Sequence, residues 1–286
     1  MITFNAIGNY GRLGNQLFQY AALRALSLEN KYEFCLPNLD NRIWHGQKCL
    51  LGNFNIVKNF NKDLSTITHR YVEPSIIEYD PSFFNIPDGV DIEGFFQNLK
   101  YFSKYKDIIC SELTPISLYT KKANLILEKY KKQYPGYEMV SLHIRRGDNL
   151  TTHNQFVPLF GNDNTKLDIN SPWRIYFDKA KDHFKNKKIK YLTFTGGNRD
   201  NNDKADHEWV NNNLGSECIL ASTPDPMLDY SLIQLCDHNI LSFVSSFGWW
   251  AAYTNTKPNK TTIIPKNYFV DNSNINRLTD NNWIVI

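Results

Sequence analysis

The hydrophobic period changes along the chain, and each change marks an element. Val140, Leu142 and Ile144 alternate with Ser141, His143 and Arg145, the period of two expected of a strand. The same pattern predicts strands over 139–144, 190–195, 217–221, 239–243 and 261–265. Between them, helices are predicted over 173–184, 204–214, 227–236 and 247–254. Strands alternating with helices imply βαβ units and a parallel sheet. The first half is less regular. A short β-prone run over 2–7 leads into glycines at 8, 11 and 14, then into a Leu-, Ala- and Phe-rich helix over 15–29. Strand-like pieces follow at 32–36, 70–72 and 91–96, and residues 38–61 read as a polar loop. A helix with a lysine-rich face is predicted over 116–134, ending before Pro135-Gly136. The pattern therefore predicts two α/β domains, residues 1–135 and 136–286, each opening like a Rossmann unit.

At 286 residues the chain is long enough for two such cores, and an apolar fraction of 42% with 21% charged residues is ordinary globular usage. A net charge of +3 is too small to argue for nucleic acid or a membrane surface. No run approaches the length of a membrane span, and no basic, apolar leader precedes the first strand, so a cytoplasmic location without stable membrane insertion is expected. Five cysteines, none in a Cys-x-x-Cys pair, suit a reducing compartment. There is no Walker A motif, Asp-x-Asp triplet, His-Glu-x-x-His or Gly-x-Ser-x-Gly, and the histidines are scattered. No metal site and no resident cofactor are expected.

In an open parallel sheet, ligands sit beyond the carboxyl ends of the strands. Three segments satisfy that condition. Alternation puts His143 and Arg145 on one face at the end of the 139–144 strand, with Arg146 turned away and Asp148 close enough to pair with it. Arginine is scarce in this chain, nine residues out of 32 basic ones, so the adjacent pair stands out. A guanidinium there suits a phosphate, or forms a surface salt bridge. Ser245-Ser246-Phe247-Gly248-Trp249-Trp250 opens a helix after a strand, where a serine cap and free amides favour an anion. Trp249 and Trp250 either pack on the sheet or line a sugar or base pocket. Thr195-Gly196-Gly197 ends a third strand, where bare glycines make a simple turn or admit a ligand to the backbone. The polar run after it, 198–206, reads as a loop.

Taken together, these segments resemble one family. Gly11-Arg-Leu-Gly-Asn15-Gln-Leu-Phe-Gln19-Tyr20, Gly94-Phe-Phe96-Gln97, His143-Ile-Arg145-Arg146-Gly-Asp148 and Ser245-Ser-Phe247-Gly248-Trp249-Trp250-Ala-Ala-Tyr253 are similar, in order, to motifs of the α1,2-fucosyltransferases, glycosyltransferase family 11. The resemblance implies a GT-B architecture, two Rossmann-like domains facing across a cleft, with the acceptor on the N-terminal side. It implies metal-independent, inverting transfer from GDP-β-L-fucose to galactose O2 of a galactose-containing oligosaccharide. Arg145, His143 and Asp148 would be the catalytic set, with Arg145 on the β-phosphate and His143 beside the nucleotide. Donor contacts would come from Gly11, Arg12, Gly14, Asn15, Gln16, Arg146, Thr195, Gly196, Ser245, Ser246, Phe247, Gly248 and Trp249, and acceptor contacts from Phe96 and Gln97. One departure is Thr195-Gly196-Gly197, where bacterial members often carry Ser-Asp-Asp. It leaves open which group reads guanine. A GT-B enzyme for another nucleotide sugar, or a non-catalytic carbohydrate-binding protein on this scaffold, remains the alternative.

Overall fold

The computed structural model describes residues 1–60, 64–152, 154–161, 165–198, 202–269 and 274–286. The chain divides into two compact units, Met1–Ile116 with Asn276–Asp280, and Ser117–Ile275 with Asn281–Ile286. The division falls at 116/117 rather than at Pro135-Gly136. The helix expected to close the first domain, α3 (Ser117–Gln133), packs on α7 (Pro226–Leu235) of the second unit, burying Ala123 and Leu127. Pro135-Gly136 is the turn that ends this helix, with Gly136 at φ +79°.

The first unit contains β1 (Ile2–Thr3), α1 (Leu13–Asn30), β2 (Phe34–Cys35), β3 (Ile43–Trp44), β4 (Gln47–Lys48), β5 (His69–Val72), β6 (Val90–Glu93) and α2 (Lys106–Glu112). Four strands form a parallel sheet in the order β2-β1-β6-β5. β1 is shorter than expected because the backbone leaves the ladder after Thr3: the Asn5 amide donates to the Asp91 carboxylate (2.8 Å) and Ile7 N–H to Phe4 O (3.1 Å). Helix α1 is buried on nearly every side, which is why its sequence shows so little polar face. The stretch read as a loop contains a hairpin. β3 and β4 pair antiparallel across His45-Gly46, both at positive φ (47° and 78°), the signature of a type I′ turn.

The second unit continues from α3 with β7 (Glu138–Ile144), α4 (Asp148–Thr152), α5 (Pro172–Asp182), β8 (Ile189–Thr195), α6 (Lys204–Asn213), β9 (Cys218–Leu220), then α7, β10 (His238–Ile240), α8 (Ser246–Tyr253), β11 (Thr262–Ile264) and β12 (Ile284–Val285). All six strands are parallel, in the order β12-β11-β10-β7-β8-β9. Counted along the chain this is 6-5-4-1-2-3, the Rossmann order, which reverses between β7 and β10. Each predicted strand and helix of this half is present within a few residues. The loop read over 198–206 has 199–201 outside the described residues and passes into α6 at Lys204.

Two cores flank this sheet. On one side Trp173, Phe177, Trp209 and Phe160 pack against Val140, Leu142 and Ile144. On the other, Asn239 is wholly buried and joins three elements: its amide donates to Ser141 Oγ (2.7 Å) and Ile233 O (2.9 Å) and its oxygen accepts from Asn255 (2.9 Å). Asn239→Ala strands these partners in a dry interior. We expect a loss of about 2–4 kcal/mol, read as a lower urea midpoint with an unchanged far-ultraviolet spectrum.

Candidate functional site

The sequence-predicted residues gather in two places, one in each unit, each where the strand order of a sheet reverses. In the second unit this is the carboxyl edge between β7 and β10. The Arg145 amide donates to Ser242 Oγ (2.7 Å), which ties the loop after β7 to the loop after β10. The Arg145 guanidinium donates from Nη1 to Gly196 O (2.9 Å) and Gly197 O (3.2 Å) and from Nη2 to Asp148. The loop after β8 therefore joins the same corner. Gly197 is needed there, because a Cβ on it would stand 1.9 Å from Arg145 Nη1.

Arg146 turns inward, as strand alternation requires. Its Nε donates to Asp206 on α6 (3.0 Å), and its guanidinium lies 4.0 Å from the Trp209 ring and 5.1 Å from that of Phe160. Asp206 also accepts from the Gly147 amide (3.1 Å) and from Asn198 (3.0 Å). Two expectations change. The carboxylate found on Arg145 is Asp148, and the one found on Arg146 is Asp206. At 3% exposure and enclosed by two rings, Arg146 braces the loop and is not placed to touch a donor. The sequence signal for Asp206 was present: it lies one helical turn before Trp209, on the face that α6 buries.

Helix α8 brings its amino end to this edge. Ser245 caps it, accepting from Gly248 N–H (3.4 Å), and the first-turn amides carry the positive end of the helix dipole. Val244, just before the cap, is held at φ +44°, rare for a β-branched residue, with its N–H on Tyr268 O (3.0 Å). Gly248 packs directly on His143: a Cβ there would lie 2.7 Å from Nδ1. That nitrogen is buried and without a hydrogen-bond partner, and burial lowers the His143 pKa to about 4. His143 is thus a neutral ring and a weak base. Ser246 and Phe247 remain partly exposed. Trp249 is wholly buried, stacked on Tyr253 (4.7 Å) and packed on Trp283, so it belongs to the core and not to a donor pocket.

In the first unit the order reverses between β1 and β6. Gly11 adopts φ +89° and leaves room for Asn15, whose Oδ1 accepts from Gln97 Nε2 (2.9 Å). Arg12 and Asn15 are partly exposed. Gly14 and Gln16 are buried, and Gln16 spends its amide on Gly11 O (3.0 Å), so neither offers a side chain to a donor. Gln19 joins the two loops through Tyr10 O (2.8 Å) and Gly94 O (3.2 Å). Phe96 is wholly buried among Phe4, Phe83 and Tyr101, which removes it as an acceptor contact. It sits at φ +52° because the buried Glu73 carboxylate accepts from both the Phe95 (2.7 Å) and Phe96 (2.9 Å) amides. Burial pushes the Glu73 carboxyl up, against those two amides, which pull it down.

Among the described residues no group of three or more His, Cys, Asp or Glu side chains is arranged to hold a metal, and no helix is long and apolar enough to cross a membrane. A pocket of about 430 Å³ opens at the opposite, amino end of the second sheet, but there Lys187 and Lys257 are already paired with Glu138 and Asp237.

The family model for glycosyl transferase family 11 matches residues 1–286. The chain belongs to glycosyltransferase family 11. Among its curated relatives, the O-antigen biosynthesis glycosyltransferase WbnK of Escherichia coli is 27% identical, over 96% of this chain and 97% of the relative. The alpha-1,2-colitosyltransferase of Escherichia coli is also 27% identical, over 91% and 90%. Galactoside alpha-(1,2)-fucosyltransferase 1 of Leontopithecus chrysomelas is 25% identical, over 85% of this chain and 63% of the relative. Among solved structures, POFUT1 in complex with GDP aligns over 91% of this chain and 97% of that one, with a TM-score of 0.53 at 12% identity. That likeness concerns the fold, and it agrees with the GT-B class expected from the motifs.

Two outcomes test this geometry. Asp206→Ala removes the carboxylate from a buried guanidinium and should cost about 3–5 kcal/mol, measured by urea unfolding. His143 gives a pH dependence of known sign. Above about pH 6.5 it is neutral folded or unfolded. As pH falls toward about 4, only the unfolded chain takes up the proton, so stability is lost across that window. His143→Gln should flatten that part of the stability curve, seen by comparing urea midpoints of the two proteins at pH 7 and pH 5.

Proposed function

We propose that this family 11 glycosyltransferase moves L-fucose from GDP-β-L-fucose to galactose O2 of a galactose-containing oligosaccharide, with inversion and without a metal. The observation that carries the reading is the β7–β10 corner, where Arg145 and the amino end of α8 are held at one carboxyl edge by the Arg145–Ser242 bond. Breaking the bond between sugar and phosphate leaves negative charge on the diphosphate. Donors that are already fixed stabilise that charge without reorganising as it forms. Asp148 and the carbonyls of Gly196 and Gly197 fix the guanidinium, so Asp148 acts as a positioning residue. The acceptor hydroxyl attacks from the face opposite the leaving diphosphate and loses its proton to water late in the step, which turns the β-linked donor into an α-linked product and GDP. The weakly basic His143 shapes the wall of the site rather than taking the proton.

The name of the colitosyltransferase relative supports a second reading of the sugar, with colitose in place of fucose. Turnover of GDP-fucose against GDP-colitose, followed by linkage analysis on a panel of β-galactosides, decides between them. Five cysteines with no disulfide among the described residues fit the cytoplasm, where we propose that the enzyme works.

Arg145→Ala should lower kcat/KM at least ~30-fold, the effect of losing about 2 kcal/mol or more of charge pairing. Arg145→Lys should recover little, because an ammonium cannot reproduce the planar fork. Steady-state kinetics in EDTA should match those without it, and loss of turnover restored by Mg²⁺ or Mn²⁺ would contradict a metal-free mechanism.

A further inference from the structure

The core of the first unit is built largely on aromatic rings. Phe4, Phe18, Tyr20, Phe83, Phe96, Tyr101 and Phe102 are all 0% exposed. Tyr10, Trp44 and Phe95 are only partly buried, and they meet one another. Tyr10 and Phe95 stack face to face (4.6 Å between centroids, 23° between planes), and Trp44 stands edge-on to Tyr10 (6.0 Å, 81°). Three elements supply them: the loop after β1, the β3–β4 hairpin and the loop after β6.

This ledge is built and held. Glu73 takes the Phe95 and Phe96 amides, the left-handed Phe96 drops into the core, and Phe95 is thereby turned out onto Tyr10. A Cβ on Gly94 would stand 2.4 Å from that of Glu73, so the glycine makes room for the clamp. The hairpin carrying Trp44 is tied to the loop after β1 by Ile43 N–H on Asn9 (3.3 Å) and by Arg42 on Asn5 O (2.9 Å). Two residues after Phe95, Gln97 donates to Asn15 (2.9 Å). Flat rings next to fixed polar groups suit a ligand with one apolar face and a rim of hydroxyls. A pyranose is such a ligand.

We propose that Tyr10, Trp44 and Phe95 form the platform on which the acceptor's terminal sugar ring stacks, with Glu73 as the residue that positions it. This rests on the glycosyltransferase reading above. It replaces the buried Phe96 with its partly buried neighbour Phe95 as the acceptor contact.

Trp44 makes the test direct. The other five tryptophans are at most 7% exposed, so acrylamide quenching of tryptophan fluorescence reports chiefly on Trp44. Lactose and other glycans of the panel should shield that fluorescence in the wild type, while GDP should not, and Trp44→Phe should abolish the shielding. In kinetics, Trp44→Ala and Tyr10→Leu should each raise the acceptor KM about tenfold, the effect of about 1.4 kcal/mol of stacking, and leave the donor KM within about twofold. Glu73→Ala should do the same and Glu73→Gln should restore it, since an amide oxygen can still accept from both backbone amides. Transfer with an acceptor KM untouched in Trp44→Ala and Tyr10→Leu overturns the ledge and leaves the fucosyltransferase reading standing. If the wild type transfers to no galactoside, that reading fails and quenching alone judges the ledge: shielding by any glycan supports it, and shielding by none overturns it.

Discussion

One buried carboxylate organises the candidate catalytic corner. Asp206 neutralises Arg146 inside the second unit, accepts the Gly147 amide and holds Asn198. Two adjacent arginines cannot both be exposed at a strand end without repelling each other. Asp206 resolves this by drawing one guanidinium in against Trp209 and Phe160 while the other stays at the sheet edge. The loops after β7 and β8 are thus fixed by one side chain. A buried pair of this kind gains little over an apolar replacement, but breaking it is costly. It anchors the two loops from which Asp148 and the Gly196 and Gly197 carbonyls hold Arg145.

Both units use the same device at the edge of their sheets. Each places a non-glycine residue at positive φ beside its candidate site, Val244 before α8 and Phe96 after β6. Each holds it with a backbone or carboxylate hydrogen bond, Val244 through Tyr268 and Phe96 through Glu73. Such conformations cost of order 1–3 kcal/mol and persist only where neighbours enforce them. The results differ: the buried Ser245 caps α8, while the Phe95 ring is turned onto Tyr10.

Much of the second unit was legible because strands and helices alternate regularly, with an apolar period on β7 and α5 and continuous apolar runs on α7 and α8. The strand read over 139–144 is β7 almost residue for residue, and the Arg145/Arg146 facing follows from its alternation. The burial of Asp206 beside Trp209 on one face of α6 was legible, but its pairing with Arg146 was not, because that depends on α6 lying across a loop 60 residues away. The hairpin at residues 43–48 was missed for a different reason: two-residue strands with exposed side chains show no alternation, and His-Gly is an unusual type I′ turn. Trp249 and Phe96 were misplaced because a motif names a neighbourhood, while burial decides which of two adjacent aromatics faces out. The helix over 117–133 was found, but its allegiance to α7 is a matter of packing that no local pattern encodes.

The β7–β10 edge is proposed to hold the leaving diphosphate. Hydrogen exchange with and without GDP measures this most directly, because the amides concerned belong to defined loops. Slowed exchange in residues 142–148 and 242–250 is expected on adding GDP. Protection confined to residues 1–116, or no protection of these two loops by GDP, would contradict it.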